Sequence, residues 1–158
     1  MELTLPAAAK GCTAEVTLTA PDGKAVASET VKIADTTARL TLDAGTVQPW
    51  SAEIPALYDV LVTLSEPGGR KIEAIPLHTG FREVKIEGGQ LLVNGQPVLI
   101  KGANRHEMDP DGGYVVSEER MIEDIRILKE NNFNAVRTCH YPDDARWYAL
   151  CDRYGLYL

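Results

Sequence analysis

The chain has 158 residues, a mass of 17.3 kDa, a formal charge of −7 and a pI near 5.0. A domain of this length can bury roughly 70% of its unfolded surface, so a hydrophobic core is within reach. The acidic balance supplies no basic stripe for a nucleic-acid backbone, and no apolar run approaches the ~20 residues that span a bilayer. Met1-Glu2-Leu3-Thr4 carries neither the charged nor the apolar region of a signal peptide. The sequence therefore predicts a soluble chain with no nucleic-acid and no membrane partner. Cys12, Cys139 and Cys151 are an odd number without C-x-x-C spacing. They read as reduced thiols, with a Cys139 to Cys151 bridge as the lesser alternative.

From Glu2 to Leu77 the period is two. Leu3 and Leu5, then Ala14, Val16 and Leu18, then Ala38, Leu40 and Leu42, then Tyr58, Val60, Val62 and Leu64 alternate with polar residues, as half-buried antiparallel strands do. Pro21-Asp22-Gly23-Lys24 and Pro67-Gly68-Gly69-Arg70 supply the turns. Six or so short strands predict an immunoglobulin-like β-sandwich over residues 1–80, with fewer than the usual seven strands and hence an open edge. The stretch from Trp50 to Tyr58 interrupts the alternation and reads as a crossover loop pinned to the core by those two rings. Carbohydrate stacking on Trp50 is the alternative.

Residues 81–97 read as a connecting strand and hairpin, with Phe81 to Ile86 alternating and Asn94-Gly95 as a tight hairpin turn. The run Pro97-Val98-Leu99-Ile100 is expected to be the first strand of a parallel set. It opens into Lys101-Gly102-Ala103-Asn104-Arg105-His106-Glu107, and Ala135-Val136 opens in the same way into Arg137-Thr138-Cys139-His140-Tyr141-Pro142. Between these runs the period becomes 3.6. Ser117 is placed to cap, Glu118 and Glu119 suit the positive helix end, and Met121, Ile122, Ile125 and Leu128 form a stripe ended by Asn131-Asn132. A second helix is expected from about Asp144 to Tyr154, capped by Asp143 or Asp144, buried through Trp147, Leu150, Cys151 and Tyr154, and stopped by Gly155. Leu156-Tyr157-Leu158 begins a third strand. Strand, helix, strand implies parallel strands whose C-terminal ends share a rim, and α/β folds bind ligands at that rim. The two polar clusters thus predict a site for a polar substrate.

Several rim residues have more than one reading. His106 and His140 with Glu107 form a metal-ligand set in type, but without H-x-x-x-H spacing no metal site is predicted. Glu107 is read as bracing Arg105 or the loop backbone. Asp109-Pro110-Asp111-Gly112-Gly113 has the acidic alternation of a calcium loop without its terminal glutamate, so a plain turn is expected. From the residues alone Arg137 reads as a structural ion pair, and Trp147 as helix packing.

The run Asn134 to Pro142, Trp147-Tyr148, and Cys151-Asp152-Arg153-Tyr154-Gly155-Leu156-Tyr157 together resemble the signature of glycoside hydrolase family 2, and within it the bacterial β-galactosidases most closely. Asn104-Arg105-His106-Glu107, Gly80-Phe81-Arg82-Glu83-Val84 and Trp50-Ser51-x-Glu53-x-Pro55-x-Leu57-Tyr58 extend the similarity from about residue 47 to the end. Residues 1–46 match only in strand pattern. The resemblance implies an immunoglobulin-like β-sandwich followed by an α/β unit, the first β/α units of an incomplete (β/α)8 TIM barrel over residues 98–158. It implies retaining hydrolysis of a terminal β-D-galactoside by two glutamates. Both would lie beyond Leu158, so the chain is expected to be an inactive piece of a larger glycosidase with no catalytic residue of its own. Arg137 would orient the nucleophilic carboxylate, and His106 and His140 would bind sugar hydroxyls. No cofactor is implied for these residues, whereas magnesium and sodium are implied for the whole enzyme. The compartment is left open between bacterial cytoplasm and periplasm, and the open strand margins predict self-association. A β-glucuronidase, or a non-catalytic carbohydrate-binding or scaffold module, is the alternative. Two positions depart from the family pattern: Cys139, where serine is frequent, and Asp143, where asparagine is.

Overall fold

Alternating side chains build the first unit, which comprises Met1–Gln48 and Leu57–Thr79. In this computed structural model, which describes the backbone of residues 1–158 and every side chain but that of Ala8, six strands belong to it. They are β1 (Glu2–Thr4), β2 (Thr13–Thr19), β3 (Ala25–Lys32), β4 (Thr37–Arg39), β5 (Tyr58–Ser65) and β6 (Lys71–Thr79). β3, β2, β5 and β6 form an antiparallel sheet in that order, and β4 pairs with β1 in a two-stranded ribbon. Ala14, Val16 and Leu18 of β2 face Leu64, Val62 and Val60 of β5 in register, which is the core expected from their period of two. Leu3, Leu5 and Ala38 from the ribbon side close over Cys12, Ala14 and Ile33. This is an immunoglobulin-like sandwich with six described strands, where a constant-type domain has seven. At its margin, Ile75 and Leu77 of β6 pair with Val62 and Val60 and so point inward, yet they remain 42% and 45% exposed.

The second unit comprises Pro49–Ala56 and Gly80–Leu158. It opens with a meander of β7 (Val84–Glu87), β8 (Gln90–Val93) and β9 (Gln96–Pro97). Its tight turns use positive φ at Gly88 and Gly89 (58° and 77°) and at Asn94 and Gly95 (51° and 76°), the pattern that matches strand twist in two-residue hairpins. Next come β10 (Gly102–Arg105), α1 (Glu118–Glu130), β11 (Ala135–Thr138) and α2 (Ala145–Tyr154). β10 and β11 are parallel, and Tyr157 adds a parallel bridge to Ala135. This is the β/α alternation of a TIM barrel, and no closed barrel forms among the described residues. Nor, among them, is any helix long and apolar enough to cross a membrane.

The first parallel strand lies at Gly102–Arg105, downstream of the apolar run 97–100 expected to form it. The Asn134 side chain causes the displacement. Its amide donates to Leu99 O at 2.9 Å and its Oδ1 accepts from Lys101 N at 2.8 Å, so a side chain takes the place of the ladder there. Leu99 and Ile100 stay exposed. The ladder resumes at Gly102, where a Cβ would sit 3.2 Å from the Ala135 Cβ and carbonyl oxygen.

Both helices follow their sequence signals. The Ser117 hydroxyl accepts from Arg120 N, and Met121 and Ile125 of α1 are buried one turn apart. Asp144, the second of the two expected caps, accepts from Arg146 N, and Arg146 holds its carboxyl down at about 2. Trp147, Leu150 and Cys151 of α2 pack with Val116, Met121, Ile125, Val136 and Leu156 in one core. Tyr154, expected on the same face, is 37% exposed because it falls in the last turn, past that packing surface. Gly155 closes α2 in the left-handed region (φ 79°), with its own N–H and that of Leu156 both reaching Cys151 O. A Cβ at 155 would also strike the Ala52 carbonyl oxygen. Gly155→Ala is therefore expected to cost more than the ~1–2 kcal/mol of left-handed strain alone. A urea midpoint close to that of the parent chain would contradict this.

The crossover loop divides differently from the sequence expectation. Tyr58 stays with the sandwich, its hydroxyl accepting from Gln48 N at 2.8 Å. Trp50 instead belongs to the second unit, and takes Pro49–Ala56 out of the sandwich expected over 1–80. Its indole N–H donates to Asp152 O at 2.8 Å, its ring meets Tyr157 edge to face at 5.8 Å, and Arg82 lies over it at 5.1 Å. Gly80 makes room, since a Cβ there would overlap the indole. An indole needs both apolar cover and an acceptor when buried, and this environment offers both. With 1% exposure the ring has no face for a sugar.

Candidate functional site

Register decides where the polar residues go. Asn104 pairs with Arg137 and Arg105 with Thr138 across β10 and β11, so residues 106–107 and 139–143 leave the two strands at the same end. Cys139 N donates to Arg105 O at 2.9 Å, holding the two outgoing loops side by side. The His106 and His140 rings stand edge to face with centroids 5.7 Å apart, and Tyr141 lies 6.1 Å from His106. Tyr141 Oη accepts from Glu107 N at 3.0 Å.

Arg105, the residue before His106, anchors a buried ionic cluster. The Arg105 guanidinium stacks on Trp147 at 3.8 Å, donating from Nε to Asp124 at 3.0 Å and from Nη1 to Asp143 at 3.1 Å. The Asp143 side chain is fully buried, and its backbone N–H donates to Tyr148 Oη at 2.8 Å. Glu107 accepts from Asp144 N through both carboxylate oxygens, at 3.0 and 3.2 Å. It braces the loop backbone, the second of its two expected roles, and Arg105 takes Asp124 and Asp143 instead.

Arg137 is exposed, and among the described residues it pairs with no carboxylate. Its Nη1 contacts Cys139 Sγ at 3.7 Å, and it lines a cavity of about 700 Å³ together with Asn104, Arg82, Val136 and Tyr157. His106, Arg137 and His140, the three predicted site residues, therefore come to one rim. One donor atom each from His106, Cys139 and His140 lies within 4.8 Å of the others, the group here suited to a metal. The sequence offers Glu107 beside the two histidines and predicts no metal site; the structure instead brings Cys139 close to both imidazoles.

The remaining candidates are structural. Asp109 to Gly113 forms a turn in which Asp109 Oδ1 accepts from Asp111 N and Gly112 N, and the Gly112 amide is the main cause of its lowered carboxyl pKa. Cys12, Cys139 and Cys151 are free and buried. Burial pushes the Cys151 thiol up to about 12, so it stays protonated and inert at neutral pH.

An exposed guanidinium and paired imidazoles thus stand at the C-terminal rim of the parallel strands, the end at which α/β folds bind ligands. Residues 3–82 match the family Glycosyl hydrolases family 2, and residues 84–158 match Glycosyl hydrolases family 2, TIM barrel domain. The chain belongs to the glycosyl hydrolases of family 2. Among solved structures it is similar to β-glucuronidase of Parabacteroides merdae, at 23% identity over 93% of this chain and 19% of that one (TM-score 0.85), a likeness of fold. It is also similar to the Bifidobacterium dentium β-glucuronidase complexed with coumarin-3-O-glucuronide, at 28% identity over 92% of this chain and 24% of that one (TM-score 0.81). A third is the Ruminococcus gnavus β-glucuronidase in complex with D-glucuronic acid, at 28% identity over 91% and 24% (TM-score 0.78). The chain thus spans about a fifth to a quarter of the length of these proteins.

Proposed function

We propose that these residues form the sugar-positioning side of the active site in a retaining β-glycosidase acting on terminal β-D-galactosides. The observation that carries the reading is the exposed Arg137 guanidinium, without a carboxylate partner among the described residues, on the same rim as the facing imidazoles of His106 and His140. Retention requires two carboxyl groups about 5–5.5 Å apart. The rim carboxylates Glu107 and Asp143 are already committed, one to the Asp144 amide and one to Arg105. On this reading the acid and the nucleophile come from outside residues 1–158, as the family resemblance implies. Arg137 pairs with the nucleophile and keeps it ionised, and the imidazoles donate to or accept from sugar hydroxyls as the ring flattens. Magnesium or sodium would need free oxygen ligands. Both Glu107 oxygens accept from the Asp144 amide and the one unpartnered Asp143 oxygen is buried beneath the surface, so neither residue fits that need, and no step here runs through either ion.

A β-D-glucuronide is the second reading, supported by the names of the similar structures. A uronate needs a cationic partner; Arg105 is held by Asp124 and Asp143, which leaves Arg82, on the same cavity as Arg137, to meet it. The discriminating measurement is hydrolysis of 4-nitrophenyl β-D-galactoside against the β-D-glucuronide by the full-length gene product. A higher kcat/KM for the galactoside is expected; preference for the glucuronide selects the second reading, and hydrolysis of neither points to a binding module. The 158-residue chain alone is expected to cleave neither, and measurable turnover by it would overturn the placement of both carboxylates elsewhere.

Self-association belongs to the same proposal. Ile75 and Leu77 expose apolar surface on the inward face of the edge strand β6, where backbone N–H and C=O groups can pair with a second chain. Sedimentation of the 158-residue chain is expected to show concentration-dependent dimers or larger species. Ile75→Lys with Leu77→Lys should shift it toward monomer, and a clean monomer before substitution would refute the expectation.

A further inference from the structure

Cys139 is the donor that sequence spacing does not suggest. Its amide is fixed to Arg105 O, and the residue is fully buried, while His106 and His140 are exposed. We propose that His106, Cys139 and His140 form a three-ligand site for a borderline-soft divalent cation, Zn2+ fitting best, with a fourth position open to solvent. Two imidazoles and a thiolate select zinc over magnesium or calcium, which take oxygen ligands. Zinc bonds of about 2.0–2.1 Å to nitrogen and 2.3 Å to sulfur place tetrahedral donors roughly 3.3–3.6 Å apart. The three atoms already lie within 4.8 Å of one another. The sulfur is held by the backbone, and the two exposed rings can close the remaining distance by side-chain rotation, at the expense of little packing. Glu107 does not compete, because the Asp144 amide holds both its oxygens.

The sulfur's present partners are compatible with this. Sγ donates to Arg137 O at 3.4 Å and accepts from Arg137 Nη1 at 3.7 Å. On coordination the S–H bond breaks, its proton goes to solvent, and the sulfur lone pair binds the metal. The Arg137 N–H remains to partner the thiolate, as outer donors do in thiolate sites. A bound ion would also occupy both imidazoles that the proposed function assigns to sugar hydroxyls. That consequence for substrate binding rests on the functional reading, whereas the metal site does not.

The test is a titration of the purified 158-residue chain with Zn2+ and, separately, Co2+. One equivalent of Zn2+ should bind per chain, and Co2+ should give a thiolate-to-metal charge-transfer band in the near ultraviolet. Cys139→Ser should abolish that band and weaken Zn2+ binding at least about tenfold. His140→Gln should weaken binding similarly while keeping the thiol. Unchanged tryptophan emission in both variants verifies folding, since Trp50 and Trp147 are both buried in this unit. Absence of the band, or Zn2+ affinity unmoved by Cys139→Ser and His140→Gln, would overturn the site. Zinc binding by a chain whose full-length form cleaves no glycoside would leave the metal site standing and refute only the functional reading.

Discussion

In the full-length glycosidase proposed above, Arg137→Ala is expected to lower kcat by about 10²–10³-fold, the usual effect of deleting one positioned charge-stabilising donor. KM should change far less. The guanidinium is exposed and meets no carboxylate among the described residues, so its removal leaves no buried group unpaired and folding should be nearly unaffected. If Arg137 keeps a nucleophilic carboxylate ionised, its loss raises that carboxylate's pKa, and the acid limb of the pH profile of kcat/KM moves to higher pH. Arg137→Lys should recover only part of the rate, because an ammonium cannot match a carboxylate's two oxygens as a planar fork does. A rise in KM with kcat and pH profile unchanged would instead mean that Arg137 binds ground-state sugar, and the pairing with a nucleophile would fall.

What could be read from the chain is what is encoded over short separations. The α1 cap at Ser117, the left-handed stop at Gly155 and the Asn94-Gly95 turn each depend on a few neighbouring residues, and each stands where the sequence puts it. The rim was legible too, because parallel strands joined by a helix must end on the same side and the polar residues directly follow the apolar runs. Three features were not. The start of β10 is set by the Asn134 side chain, 33 residues from the Lys101 amide it receives. Trp50 finds its acceptor 102 residues away, at Asp152, so nothing near it says which core it joins. Glu107, weighed beside the two histidines with no metal site predicted, turns to the Asp144 amide 37 residues away, and Cys139 comes within 4.8 Å of both imidazoles instead. In each case a side chain answers to a backbone group that is distant in sequence.

The same lesson sets the expectation for Asp143, the position where this chain departs from the asparagine frequent in its family. Its carboxylate is wholly buried against Arg105, whose guanidinium also meets Asp124 and lies on Trp147. Asp143→Ala removes one counter-charge and one acceptor, leaving the 7%-exposed Arg105 side chain with Asp124 alone. Breaking a buried pair in this way costs about 3–5 kcal/mol, and the surviving Asp124 contact places the expected loss near the lower end. Asp143→Asn keeps an acceptor for Arg105 Nη1 and gives up only the charge. The charge-assisted part of that hydrogen bond is worth about 1 kcal/mol more than a neutral one, and the cheaper burial of an amide offsets it. Asp143 Oδ1 already lacks a hydrogen-bond partner among the described residues, so an amide there orphans nothing new. Denaturation followed by tryptophan fluorescence reads this unit directly, because Trp147 forms the floor of the cluster. Alanine should shift the midpoint strongly and asparagine by less than about 1 kcal/mol. Equal losses for the two would mean that the charge itself holds Arg105 in place, and that the aspartate is a requirement of this chain's rim.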